Sequence, residues 1–194
     1  MVEDFAELFG PGHVPGYLTG EDMQAIEFIC NKLNKKSIIV EVGCFLGKSS
    51  VEWARNLPES KIICIDSFNS PFYILKQLIE KTHHKMPVGP NSQLELFNYY
   101  TKTFKNIHPV QGFFNKDFGF PGKVDCVFED STHEGKYLSY ALPFWWEHIN
   151  PGGILCGHDY CDQQVKTSVD LFAVINDVEV KTIMDNSSIW YIER

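Results

Sequence analysis

The sequence predicts an α/β domain built on a layered, mostly parallel sheet. Three observations carry this. Short β-branched apolar runs alternate with helix-length segments along most of the chain. The runs are apolar at successive positions, as strands buried on both faces require. The chain then closes on two strands flanking Asp185-Asn186-Ser187, a terminal hairpin. Strand–helix alternation of this kind builds a sheet with right-handed crossovers. A length of 194 residues suits one domain over 1–194.

Taken in order, the opening stretch to about Thr19 holds Gly10, Pro11, Gly12, Pro15 and Gly16 and reads as a loop-like arm. Thr19 and Asp22 then offer an N-cap with an acidic third position. Met23, Ile26, Ile29, Cys30 and Leu33 follow at helical spacing, which predicts a helix over 20–34. Arm and helix together occupy 1–35. Residues 37–42 and 61–66 are the first two strands, and a helix over 48–56 between them is closed by Pro58. The stretch 67–106 is long for a connection, with helices near 72–84 and 92–105 around a proline-rich break at 85–90. Residues 107–111 and 124–129 are the third and fourth strands. A helix over 134–148 follows, and Pro151-Gly152-Gly153 leads into the strand Ile154-Leu155-Cys156. Strands near 178–184 and 188–193 end the chain; no element is assigned between 163 and 177.

Composition narrows the function classes. At 44% hydrophobic and 22% charged the chain is globular, which excludes disordered, collagen-like and coiled-coil classes. A formal charge of −8 works against unspecific nucleic-acid or anionic-membrane binding. No apolar run reaches the ~20 residues of a membrane span, and the acidic start Met1-Val2-Glu3-Asp4 is unlike a secretory signal. The six cysteines form no C-x-x-C pair, so free thiols in a reducing, cytoplasmic compartment are expected.

In such sheets ligands gather at the carboxyl ends of strands, where the strand order reverses. Those ends carry Glu41 and Gly43, Asp66, Asp130, and His158-Asp159. The first turn, Gly43-Cys44-Phe45-Leu46-Gly47-Lys48-Ser49, is neither a dinucleotide fingerprint nor a P-loop. Phe45 stands where close pyrophosphate approach needs glycine, and the glycines lie one residue too close for a phosphate-binding loop. Asp66 lies 19 residues past Gly47, where a carboxylate can accept ribose hydroxyls. His83-His84 diverge on a helix without further ligands nearby, which reads as a solvated face.

Five motifs in order then carry a resemblance: Glu41-x-Gly43-x-x-x-Gly47, Ile65-Asp66, Val124-Asp125-x-Val127-Phe128-x-Asp130-x-x-His133, Asn150-Pro151-Gly152-Gly153 and His158-Asp159-Tyr160. Over residues 36–193 the chain resembles the class I S-adenosylmethionine-dependent methyltransferases. Within them it is similar to the small O-methyltransferase branch of antibiotic and sugar tailoring. The resemblance implies a Rossmann-like three-layer sandwich whose seven-stranded, mostly parallel sheet has its last strand antiparallel.

It further implies that Glu41 and the turn Gly43, Cys44, Gly47 and Ser49 hold the methionine part of the cofactor. Asp66 with Ser67 would hold the ribose, Gly112 and Phe113 would border the adenine, and Asp130 would reach the reacting end. Relatives of this branch often bind a divalent ion, which here would fall to Asp130, His158 and Asp159. A histidine among the ligands departs from the branch's acids and suits Mn²⁺ better than Mg²⁺. Asp130, His133 and His158 are the candidate catalytic groups, either imidazole serving as general base.

The expected activity is O-methylation of a small hydroxylated acceptor, a sugar or natural product. The acceptor pocket would be shaped by the arm and the 67–106 insertion. Phe144, Trp145 and Trp146 are expected mainly in the core, with a homodimer through an exposed tryptophan face as the second reading. A catalytically silent cofactor-binding module and a nucleotide-dependent oxidoreductase are the alternatives. Intact strand-end carboxylates argue against the first, and Phe45 argues against the second.

Overall fold

In the computed structural model, residues 14–82, 84–112 and 119–194 are described. The expectations for Phe113 and His83, and for the arm before residue 14, lie outside these residues. Thr19 caps α1 (Gly20–Cys30) through a complete capping box with Asp22. The chain continues through β1 (Ile38–Val42), α2 (Lys48–Asn56), β2 (Lys61–Asp66), α3 (Phe72–Lys81), α4 (Gln93–Thr101) and β3 (Ile107–Gln111). It then runs through β4 (Val124–Glu129), α5 (Gly135–His148), β5 (Ile149–Gly157), α6 (Gln163–Asn176), β6 (Lys181–Thr182) and β7 (Trp190–Glu193).

The strands form one seven-stranded sheet in the order β3-β2-β1-β4-β5-β7-β6. β1 pairs parallel with both β2 and β4, β2 with β3 and β4 with β5, while β7 runs antiparallel to β5 and β6. Ile26, Trp53, Leu75 and Phe97 of α1 to α4 pack on one face of the sheet. Leu138, Trp145, Val169 and Phe172 of α5 and α6 pack on the other. The predicted three-layer, mostly parallel sandwich is the observed fold. Its chain order reverses between β1 and β4, which places the carboxyl ends of those strands side by side.

Several boundaries differ for physical reasons. The helix predicted over 20–34 stops at Cys30, followed by turns closed by Lys32 and Leu33 amides on the last carbonyls. The helix predicted over 72–84 ends at Lys81, and the one over 92–105 at Thr101. The strand near 178–184 shrinks to Lys181–Thr182 at the sheet edge, where it has one partner only. Helix α6 is the unforeseen element. Asp162 caps it by accepting from the amides of Gln164 and Val165, and Val165, Val169, Phe172 and Ala173 form its buried stripe. Trp145 is fully buried in the core and Trp146 half-buried against Phe172, so the tryptophan face expected for a homodimer is largely used within the chain. Five of the six free cysteines are buried; Cys161 is exposed.

Candidate active site

The turn after β1 is shaped by steric necessity. Gly43 has φ +87°, and a Cβ there would sit 2.3 Å from the Asp130 carbonyl oxygen and 2.5 Å from Ser131 Cα. Glycine therefore lets the end of β1 pass against the exit of β4, where the Asp130 amide donates to Val42 O at 2.9 Å. Phe45, Phe68 and Asp159 also occupy the left-handed region, at φ 48°, 50° and 59°. Non-glycine residues hold such angles only where surrounding structure over-determines them, and such residues cluster at functional sites.

Asp66 supplies part of that constraint. Its Oδ2 accepts from the Phe45 amide at 2.9 Å and its Oδ1 from the Phe68 amide at 2.7 Å. Burial raises its pKa, against the lowering effect of these donors. Gln93, 2% exposed, braces the same turn by donating to Phe45 O at 3.1 Å and accepting from Ser70 N at 2.8 Å.

Two open lobes meet over this turn, sharing Gly43, Asp66, Ser67 and Ser131. The first, of about 490 Å³, is walled by Ile65, Gly112, Thr132, Tyr137 and Tyr140. The second, of about 630 Å³, is walled by arm residues 15–18, Cys44, Lys48, Ser49, Gln93, Asp130, His133, His158 and Asp159. Most predicted cofactor residues thus border one cleft: Gly43, Cys44, Ser49, Asp66, Ser67, Gly112 and Asp130.

Two expectations are corrected. Glu41 is fully buried and lines neither lobe. Its carboxyl accepts from the hydroxyls of Ser49 and Ser50 in the first turn of α2, and from Cys64 Sγ at 3.6 Å. Burial raises its pKa, and these donors oppose the rise. Glu41 therefore anchors the start of α2 rather than touching a ligand. Gly47 (φ +91°) faces away from the cleft as well. A Cβ there would meet Thr101 Cγ2 at 2.7 Å and Phe97 Cε2 at 3.0 Å, so its role is close packing of α2 on α4.

Asp130, His158 and Asp159 do converge, with ligand atoms within 4.8 Å of one another. His158 Nδ1 lies 3.1 Å from Asp159 Oδ1 and 3.8 Å from Asp130 Oδ1. Its Nε2 faces Asp22 Oδ2 at 3.2 Å and Ser188 Oγ at 2.8 Å. Burial disfavours the charged ring, but hydrogen bonds to Asp159 and Asp22 and the nearby Asp130 charge outweigh it, raising the pKa to about 10. Surrounded in this way the ring keeps both protons at neutral pH in the cation-free protein; a cation at Nδ1 would displace one of them, and in neither form is the Nδ1 lone pair free for an acceptor's proton. The expectation that His158 is the general base is corrected accordingly.

Burial raises the Asp130 pKa well above the usual range; the His158 charge opposes this, and the charges of Asp159, Glu41 and Glu129 add to it. A carboxyl so short of counter-charge, beside a second carboxylate and an imidazole nitrogen, is a donor set that fits a divalent cation.

His133 is different. Its side chain is half-exposed at the rim, with Nε2 2.7 Å from Asp159 Oδ2 and Nδ1 3.4 Å from Asp162 Oδ2. If Nε2–H is donated to Asp159, the lone pair lies on Nδ1, on the side of Asp162.

Sequence reasoning missed several contributors. Lys48 donates to Leu18 O at 2.7 Å and Gly16 O at 3.4 Å, tying the arm over the second lobe. Burial lowers its pKa, with Asp22 opposing. Beneath the first lobe Glu129 is raised to about 7 by burial, against donors from Ser131, Trp145 and Tyr137. The Glu21-Asp22 start of α1 was legible as a cap, but nothing in the sequence links it to residues 158 and 188.

Comparison with known proteins identifies the family and the fold. Residues 40–160 match the methyltransferase-domain family. No curated protein sequence matches the chain. Among solved structures, the O-methyltransferase NovP is similar at 17% identity and TM-score 0.63, over 89% of this chain and 78% of its own. The precorrin-6y C5,15-methyltransferase of Geobacter metallireducens is similar at 13% identity and TM-score 0.62, over 96% and 93%. The SAH-bound methyltransferase PaMTH1 of Podospora anserina is similar at 14% identity and TM-score 0.62, over 91% and 79%. At these identities the likenesses establish the fold. Among the described residues no helix is long and apolar enough to cross a membrane. With the family match spanning most of the sheet and both sides of the cleft, the chain belongs to the methyltransferase-domain family and is an S-adenosylmethionine-dependent methyltransferase.

Proposed function

We propose that the chain methylates a hydroxyl of a small hydroxylated molecule, a sugar or natural product, in the manner of the small O-methyltransferases. The observation that carries this reading is the Asp130–His158–Asp159 cluster facing the second lobe next to the Gly43 turn. The cofactor supplies a methyl group on a positive sulfur, and a divalent cation held by Asp130, His158 Nδ1 and Asp159 would supply Lewis acidity toward the acceptor hydroxyl.

The chain's own residues do the rest. Asp66, itself shared by the two lobes, fixes the Phe45 and Phe68 amides on either side of it. The N-terminus of α2, which Glu41 anchors through Ser49 and Ser50, carries the positive end of the helix dipole and suits a carboxylate. His133 takes the acceptor proton on Nδ1 while Asp159 holds Nε2–H, which keeps the ring's tautomer and aim. Arm residues 15–18, tied by Lys48, close one side of the lobe and keep water from the transfer. The second lobe is a pocket of small-molecule size, and the acidic chain argues against a polyanionic acceptor.

The test has two arms. Calorimetry with S-adenosylmethionine reads cofactor binding by wild type and by Asp66→Ala; no binding by wild type refutes the cofactor assignment. A screen of sugars and phenolic or hydroxylated natural products with labelled cofactor, with and without EDTA, reads acceptor and cation. Label found only on nitrogen or carbon acceptors refutes O-methylation, and turnover unchanged by EDTA removes the cation.

A further inference from the structure

Asp22 lies in the first turn of α1, yet it is 2% exposed. A capping box works at a helix surface and needs one carboxylate oxygen, so capping alone does not explain this burial. Burying a carboxylate is costly unless its lone pairs are filled and its charge is paired. Both conditions are met here. Oδ2 accepts from Thr19 N at 2.9 Å and Thr19 Oγ at 2.7 Å. Oδ1 accepts from Ser187 Oγ at 2.9 Å and Ser188 N at 3.1 Å, across a sequence separation of 165 residues or more. The charge partner is His158, whose Nε2 lies 3.2 Å from Oδ2.

The histidine is held from behind by the same group of residues. Ser188 Oγ reaches Nε2 at 2.8 Å, and the Ser188 amide is fixed by Asp22. An imidazole on a strand end can turn about its second side-chain torsion and exchange Nδ1 for carbon. With Nε2–H bound on the far side by Asp22 and Ser188, only one setting remains, with Nδ1 toward Asp130 and Asp159. A carboxylate behind a histidine is how protein sites fix the tautomer and orientation of a ligating imidazole.

We propose that Asp22 is a positioning residue of the reaction centre, holding the His158 ring with Nδ1 aimed at Asp130 and Asp159. It touches neither lobe, so it reaches the cluster through His158. The same residue ends the arm, because Thr19, which it caps, follows directly on the residues 15–18 that wall the second lobe. Arm and histidine are therefore set by one carboxylate. The inference rests on the cation reading of the cluster only for its first readout below.

Three variants separate positioning from helix capping. Asp22→Asn and Asp22→Ala remove the charge behind His158, whereas Thr19→Ala breaks the cap and leaves Asp22 facing the ring. Mn²⁺ affinity is measured by calorimetry on cofactor-loaded protein, alongside S-adenosylmethionine affinity and thermal midpoint. Loss of a partner behind a ligating histidine weakens metal binding by about 10–100-fold, and that loss is expected for both Asp22 variants. Thr19→Ala should lower the midpoint while Mn²⁺ affinity stays within about twofold. Equal Mn²⁺ affinity in Asp22→Asn and wild type overturns the proposal.

Crystal structures of both Asp22 variants read the ring directly and do not depend on a metal. Departure of Nδ1 from Asp159 supports the proposal, and a ring unmoved in both overturns it. Wild-type protein that binds no Mn²⁺ refutes the cation reading, and the ring setting then decides the role of Asp22 by itself.

Discussion

Replacing Gly43 by alanine tests the cleft at its tightest point, and a second glycine calibrates the result. Gly43 and Gly152 have nearly the same φ, +87° and +82°. Alanine at either position carries a similar left-handed penalty, on the order of 1–2 kcal/mol. Their surroundings differ. Nothing lies within 4 Å of a Cβ at Gly152, whereas one at Gly43 would meet Asp130 O at 2.3 Å, Ser131 Cα at 2.5 Å and Asp130 C at 2.6 Å. All three are backbone atoms held by the Asp130 amide's bond to Val42 O, so relief requires β1 and β4 to part at their ends. Overpacking of that kind adds about 1–3 kcal/mol. For a chain of this length each kcal/mol is about 2–4 °C in thermal midpoint, so Gly43→Ala should melt about 2–12 °C below Gly152→Ala. The displaced atoms carry Asp130 and Ser131, so cofactor affinity should fall in Gly43→Ala and hold in Gly152→Ala. Differential scanning fluorimetry and calorimetry with S-adenosylmethionine read the two effects. Equal midpoints and equal affinities for the two variants would refute the steric account of this turn.

Two further outcomes follow from the charges. His158 is raised from 6.5 to about 10, so in cation-free protein its stabilising effect is complete below pH 6.5 and is lost as pH rises through 10. Glu129, raised from 4.5 to about 7, acts the same way between those values. Denaturant midpoints measured without metal should therefore fall with rising pH, Glu129→Gln flattening the slope at pH 4.5–7 and His158→Gln flattening it at pH 6.5–10. A wild-type midpoint that rises across pH 7–10 would contradict the His158 assignment, and an equal slope at pH 4.5–7 in Glu129→Gln and wild type would contradict the Glu129 assignment. For His133, alanine should lower kcat by about 100-fold or more with little change in acceptor KM, as expected for a base that acts in the transfer step; a rise in KM alone would make it a binding group.

The sheet was legible because its strands are nearly pure apolar runs, and burial on both faces leaves little else for 61–66 or 124–129 to be. Helix α6 was not, for an opposite reason. Polar residues Lys166, Thr167 and Asp170 mark the outer face of its first half only; beyond them that face carries Leu171, Val174 and Ile175, 58%, 79% and 72% exposed, so the buried stripe at Val165, Val169, Phe172 and Ala173 loses its polar contrast. The strand-end rule found Asp66, Asp130, His158 and Asp159 because topology alone brings those positions together. It misplaced Glu41 and Gly47 because a residue at a ligand-binding turn can face the ligand or the packing behind it, and spacing does not say which. Asp22 and Gln93 were invisible as site residues, and Lys48, at the opening of α2, reads from sequence as a surface or capping residue, since their partners are fixed only by tertiary contact: Asp22 with Ser188, Gln93 with Phe45, Lys48 with Leu18.

The acidity of the cluster has a consistent physical sense. Asp22 is ionised in the folded state, its pKa lowered against the effect of burial by His158 and Thr19, and Asp159 is lowered chiefly by its hydrogen bond to His158. One imidazolium thus balances only one of two ionised carboxylates, and Asp130 is left with its charged form disfavoured. A positive ligand reverses that preference, because a carboxyl held near neutrality by desolvation and like charge ionises when a cation arrives beside it. Asp130 is then the member of the cluster whose charge answers to binding, while Asp22 and Asp159 hold the histidine in place. On the proposed function, a sulfonium seated in the second lobe would gain from this field, and the neutral thioether left after transfer would not.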